Sequence, residues 1–197
     1  MIYVVTNRKD AGTNFFKKLE EAIEAGIDAI IVREKDLKTS ELLDLTLKIK
    51  KIIGEKKVKL IVNGNYNVAK NVNADAFHMT YKNFINKPFF KSIGVSIHSK
   101  EEAIEVEKNG ANYILAGHIF KTKCKENLTP KGIEWLSSIK NEVKIPVIAI
   151  GGINSNNLSQ LVKIGITNIA VMSLIMNSKN ISKEIKNLKM ILNTKNS

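Results

Sequence analysis

Three stretches of the chain repeat one unit: apolar residues at helical spacing, a glycine, then a short run rich in Ile and Val. The unit occurs at EEAIEAGIDAIIVRE, at EEAIEVEKNGANYILAG and at LSQLVKIGITNIAVMS. Helical spacing that stops at a glycine marks a helix ended by a residue in the left-handed region. An apolar run with no polar alternation marks a strand covered on both faces, as in a parallel sheet. Five more runs of that kind, IYVVT, VKLIVN, DAFHM, SIGVSIH and IPVIAIGG, bring the predicted strands to eight. Helical patterns such as TSELLDLTLKIKKII and GIEWLSSIKNEV lie between most of them. The weakest connection runs from Lys82 to Phe90, where Pro88 precludes a long helix. Eight strands alternating with helices predict an α/β fold, a single compact (β/α)8 TIM barrel over residues 1–190, with 191–197 as a frayed tail. An open doubly wound sheet is the alternative, but VVTNRKDAGT lacks the GxGxxG turn expected after its first strand.

Composition narrows the setting. With 44% hydrophobic residues the chain holds enough for one core. No apolar run reaches the roughly 18–20 residues of a membrane span, and MIYVVTNRKD reads as a first strand and not as a signal. Cys124 is the single cysteine, so no internal disulfide can form and a cytoplasmic location is expected. Lys123 and Lys125 flank it, but with no activating base nearby it reads as a loop thiol. The net charge of +12 first suggests a polyanionic partner. Only Arg8 and Arg33 are arginines, however, and the lysines are scattered without interleaved aromatics. Nucleic acid is therefore not expected as a partner, nor is a membrane; homo-oligomerisation is left open.

The chemistry of a barrel gathers at the C-terminal ends of its strands. The polar residues predicted there are Arg33 and Lys35 after the second strand, Asn63 after the third and His78 after the fourth. Ser96 and His98 follow the fifth, and His118, Thr122 and Lys125 the sixth. Gly151 and Gly152 follow the seventh, Met172 and Ser173 the eighth. This places all three histidines on one rim. Gly151 and Gly152 would let backbone N–H groups approach a phosphate, with Met172 and Ser173 where a short helix can begin, although a plain tight turn gives the same pattern. Arg33 suits a carboxylate or phosphate ligand, against an ion pair with Glu34 or another acid. His118 could transfer a proton near neutral pH, against a buried ring bonded to backbone. His78 and His98 read as structural. No carboxylate completes the three histidines as a zinc site, so neither metal nor other cofactor is expected.

The motifs VREK, LIVNGNYNVAKNVNADAFHM, IGVSIHSKEEA, GANYILAGHIFKTKCK, IPVIAIGGI and NIAVMS, in this order, resemble the thiamine phosphate synthase and TenI superfamily. The resemblance implies a TIM barrel and a small phosphorylated thiazole as substrate. In the synthase branch it implies the joining of a pyrimidine diphosphate to a thiazole phosphate with Mg²⁺. Against that branch stand Ile31 in place of Gln, Gly64 after Asn63 in place of Asp, and Asn83 in place of a second metal-binding Asp. GHIF with His118, in place of GPIF, resembles the TenI branch. The expectation is therefore a cofactor-independent isomerase, a thiazole tautomerase with His118 as general acid and base. Lys125 and Thr122 match positions that hold the diphosphate in the synthase. A thiamine phosphate synthase (a transferase), a non-catalytic regulatory homologue and a metal-dependent hydrolase remain as alternatives.

Overall fold

Eight parallel strands close into one barrel in the order β1-β2-β3-β4-β5-β6-β7-β8, as the eight apolar runs predict. The computed structural model describes residues 1–122 and 128–194. The strands are β1 (Ile2–Val5), β2 (Ala29–Val32), β3 (Lys59–Asn63), β4 (Ala76–Thr80), β5 (Ile93–Ile97), β6 (Tyr113–Gly117), β7 (Val147–Ile150) and β8 (Asn168–Val171). Helices on the outside connect them. These are α1 (Arg8–Ala11), α2 (Phe15–Glu24), α3 (Thr39–Ile53), α4 (Tyr66–Asn71), α5 (Tyr81–Phe84), α6 (Lys100–Lys108), α7 (Gly132–Glu142), α8 (Leu158–Lys163), α9 (Ser173–Met176) and α10 (Ile181–Asn193). Gly26, Gly110 and Gly165, the glycines of the three repeated units, all take positive φ at the ends of their helices. The connection holding Pro88 contains only the single-turn α5. The short α9 begins at Ser173, where a short helix was expected, whereas the short α1 was not visible in the periodicity.

Local polar chemistry fixes where the helices begin. Ser99 Oγ accepts the Glu102 N–H at 3.1 Å, and the Glu102 carboxylate accepts the His98 N–H at 2.6 Å. The serine is the N-cap of α6, stabilising by about 1 kcal/mol, and the glutamate ties down the residue before it. Asn65 caps α4 in the same way through Val68 N–H, at 3.1 Å.

Two apolar layers result. One lies between strands and helices and includes Leu19, Ile30, Ile49, Val62, Val95, Ile114 and Leu136. The other fills the barrel: Tyr3, Val5, Ala29, Ile31, Ile61, Ala76, Tyr113, Leu115, Ile148 and Ala170. Because side chains alternate along a strand, the residues two positions on from Ile31, Ile61, Ala76 and Ala170 also face inward. Those residues are Arg33, Asn63, His78 and Met172. The strand pattern that builds the core thus also aims the polar residues at the barrel mouth.

Candidate functional site

Arg33 follows β2 and is half-buried. Its backbone N–H donates to Thr6 Oγ1 at 2.9 Å. The ion pair weighed for it does not form with Glu34. That carboxylate is 94% shielded and instead accepts the Arg8 backbone N–H at 3.0 Å and the hydroxyl of Thr6. Burial pushes the Glu34 carboxyl above its ordinary range, with the Thr6 and Arg8 hydrogen bonds pulling the other way. Asp36, the next acid along, is held by Arg8 and Lys9 at 2.6 and 3.1 Å. Among the described residues the Arg33 guanidinium therefore has no carboxylate partner, while Lys35 is exposed beside it.

The three histidines do not share one rim. His78 lies within β4, paired in register with Asn63 and Gly94, and is fully buried inside the barrel. Its ring stands between Ser96 Oγ, 2.8 Å from Nε2, and Tyr113 Oη, 3.1 Å from Nδ1. Burial first, then the Arg33 charge, lowers its pKa to about 3, so the ring is neutral at physiological pH. His98 is exposed on the far side of β5. His118 follows β6, with 5% of its surface exposed. Its Nε2 lies 3.2 Å from the Leu128 carbonyl, and since a carbonyl only accepts, Nε2 carries the hydrogen. The segment it begins is held on both sides. Ile119 and Phe120 donate to the carbonyls of Ile150 and Gly151, both at 3.0 Å. Lys131 and Gly132 donate to the carbonyls of His118 and Ile119 at 2.9 and 3.1 Å.

This bracing explains the glycine pair structurally. Gly151 and Gly152 have φ of 103° and 69°, which disfavour a side chain. A Cβ at 151 would come within 2.2 Å of His118 Cβ, and one at 152 within 2.5 Å of the Lys121 carbonyl oxygen. The pair therefore lets the seventh and sixth loops touch. Thr122, five residues beyond β6, and Met172 and Ser173, just after β8, are half-buried. Lys125 and Cys124 lie outside the described residues.

A cavity of about 340 Å³ opens beside β3 and β4, lined by Gly64, Tyr66, Phe77, Met79, Lys82 and Asn83 among others. Its size suits a small ligand. Lys82 went unnoticed in the sequence because nothing marks one lysine among so many. Thr6 and Tyr113 were missed because each reads as part of an apolar strand.

The donor set around this cavity does not fit a magnesium ion. Mg²⁺ is held by one or two carboxylates together with phosphate and water. Gly64 and Asn83 on its lining supply none, nor does Asn63 at the end of β3, and Lys82 adds a positive charge. Among the described residues no three of His, Cys, Asp or Glu form a metal-binding group. None of the described helices is long and apolar enough to cross a membrane.

Comparison with known proteins places this geometry. The sequence pattern described as thiamine monophosphate synthase matches residues 2–175. The thiamine-phosphate synthase of Clostridium acetobutylicum is 37% identical over 195 residues, covering 94% of this chain and 91% of that one. That of Clostridium tetani is 36% identical, covering 95% and 93%. The solved structure of thiamine phosphate pyrophosphorylase from Pyrococcus furiosus superposes with a TM-score of 0.86 at 33% identity, covering 98% of this chain and 95% of that one. These likenesses overturn the expectation of an isomerase. The tautomerase reading weighed four positions, Ile31, Gly64, Asn83 and His118, more heavily than the likeness along the rest of the chain. Relatives 34–37% identical over nearly its whole length are named as synthases, which are transferases. By length and identity of match, the chain belongs to the thiamine monophosphate synthase family.

Proposed function

We propose that this chain is a transferase that joins a thiazole phosphate to a pyrimidine bearing a diphosphate, giving thiamine phosphate and pyrophosphate. The observation that carries the reading is the 37% identity to a thiamine-phosphate synthase across 94% of the chain. In the reaction the thiazole nitrogen bonds to the pyrimidine's methylene carbon as that carbon's bond to the diphosphate oxygen breaks. The electron pair leaves with the diphosphate, and no proton need move. What the protein must supply is alignment of the two rings and stabilisation of the departing negative charge.

Arg33 supports the second task, being half-buried, cationic and without a carboxylate partner among the described residues. Ser96, half-buried on β5, offers a hydroxyl from the barrel interior. We assign the thiazole phosphate to the mouth between Gly151, Gly152, Met172 and Ser173, the position where barrels of this kind commonly hold a phosphate. We assign Asn63 and Lys35 to the pyrimidine and Thr122 to the diphosphate; Lys125, which lies outside the described residues, is assigned to the diphosphate from the sequence resemblance alone. Because Asn63, Gly64 and Asn83 supply no carboxylate for a divalent cation, each of these roles is assigned to the chain's own cations and amides.

The test supplies the purified chain with both substrates and follows pyrophosphate release. Release only when both are present is expected. Release from the pyrimidine diphosphate alone would identify a hydrolase, and no release would refute the proposal.

A further inference from the structure

Inside the barrel, below the mouth, three polar side chains form a line: Ser96 on β5, His78 on β4 and Tyr113 at the start of β6. The ring of His78 has no exposed surface, stacks on Tyr113 with centroids 5.6 Å apart at 28°, and spans the two hydroxyls. Gly94 makes the arrangement sterically feasible. It pairs in register with both His78 and Tyr113, and a Cβ there would lie 1.9 Å from Tyr113 Cζ. The phenol occupies the space that any other residue at 94 would fill.

Hydrogen counting fixes the direction of the line. The Tyr113 hydroxyl has one hydrogen, and among the described residues its sole hydrogen-bond partner is His78 Nδ1. A buried hydroxyl hydrogen left without an acceptor costs about 1–3 kcal/mol, so Tyr113 donates and Nδ1 accepts. Burial and the nearby Arg33 charge keep the ring neutral, so its one hydrogen is on Nε2. Nε2–H then donates to Ser96 Oγ, which leaves the serine's own hydrogen free to turn toward the barrel mouth.

We propose that Tyr113 and His78 are positioning residues that act through Ser96, fixing its hydroxyl as a donor to an anionic oxygen of the ligand in the barrel mouth. A serine free to rotate would present lone pairs part of the time, and lone pairs repel an anion. The buried ring biases that choice: with its N–H on one lone pair, the serine hydrogen cannot turn back toward the ring and is left to the outward positions. The anion assignment rests on the transferase reading, whereas the direction of the line does not.

Two measurements test this. In the full chain with nitrogen-15 in its histidines, the ring of residue 78 is expected as the Nε2–H tautomer with an accepting Nδ1; an Nδ1–H tautomer would reverse the line and overturn the proposal. The second is a double-mutant cycle of Tyr113→Phe and Ser96→Ala. It is read on the Kd for inorganic pyrophosphate, which needs no turnover, and on kcat with both substrates. Tyr113→Phe alone is expected to weaken pyrophosphate binding and lower kcat about fivefold to tenfold. In the Ser96→Ala background the same change should have less than a twofold effect. Equal losses in both backgrounds would mean that Tyr113 merely stabilises the barrel. If wild type binds pyrophosphate and shows this cycle yet makes no product, the transferase reading fails while the positioning role stands.

Discussion

Arg33→Ala lowers kcat/KM for the two-substrate reaction by two to three orders of magnitude, about 3–4 kcal/mol of lost transition-state stabilisation. The expectation follows from what surrounds the guanidinium. Glu34 is committed to Thr6 and Arg8, and Asp36 to Arg8 and Lys9. A half-buried cation kept apart from neighbouring acids retains its full attraction for an incoming anion, where screening by water is reduced. Arg33→Lys should recover less than a tenth of the lost rate, because an ammonium cannot grip two oxygens in one plane. Initial rates under subsaturating substrate decide the matter. A loss below threefold for Arg33→Ala would remove this residue from the charge-stabilising role.

The second large effect is on stability in acid. The folded-state pKa of His78 is lowered to about 3, through burial first and the Arg33 charge second, against an ordinary value of 6.5. The unfolded chain therefore takes up a proton near pH 6.5 that the native ring refuses until far lower. Stability from this ring is complete above about pH 6.5 and is lost as the pH falls toward 3. Between pH 7 and 4.5 the loss amounts to about 2–3 kcal/mol. Glu34 works in the opposite sense, since its carboxyl is raised by burial and acid relieves the cost of its charge. Urea unfolding of wild type and His78→Gln at the two pH values isolates the histidine. The variant should lose about 2–3 kcal/mol less on acidification, and equal losses would show that residue 78 does not govern the response.

The barrel itself was legible because strands covered on both faces leave uninterrupted apolar runs, and because the helices before them end at Gly26, Gly110 and Gly165 in the left-handed region. The site was legible only in part. Arg33, Asn63 and Met172 were placed at the mouth because each stands where an apolar run ends, which a single strand reveals. His78 was assigned to the same rim because the run DAFHM ends one residue later, but β4 continues to Thr80 and the ring is fully buried inside the barrel. It pairs in register with Asn63 on one side and Gly94 on the other. Tyr113 was hidden for the same reason: its hydroxyl reaches up to a residue 35 positions earlier in the chain. The assignment to the isomerase branch failed on a different ground. Single replacements such as Gly64 and Asn83 change what a site can hold, but a few positions do not outweigh a likeness spread along the whole barrel.

Those replacements leave the chemistry to this chain's own cations and amides, and that is where the account is most exposed. The direct measurement is thiamine phosphate, identified by mass, formed from both substrates by the purified chain in excess chelator and in excess Mg²⁺. The account predicts product in both, at rates within about threefold of each other. Product only with Mg²⁺ would contradict it, as would no product in either.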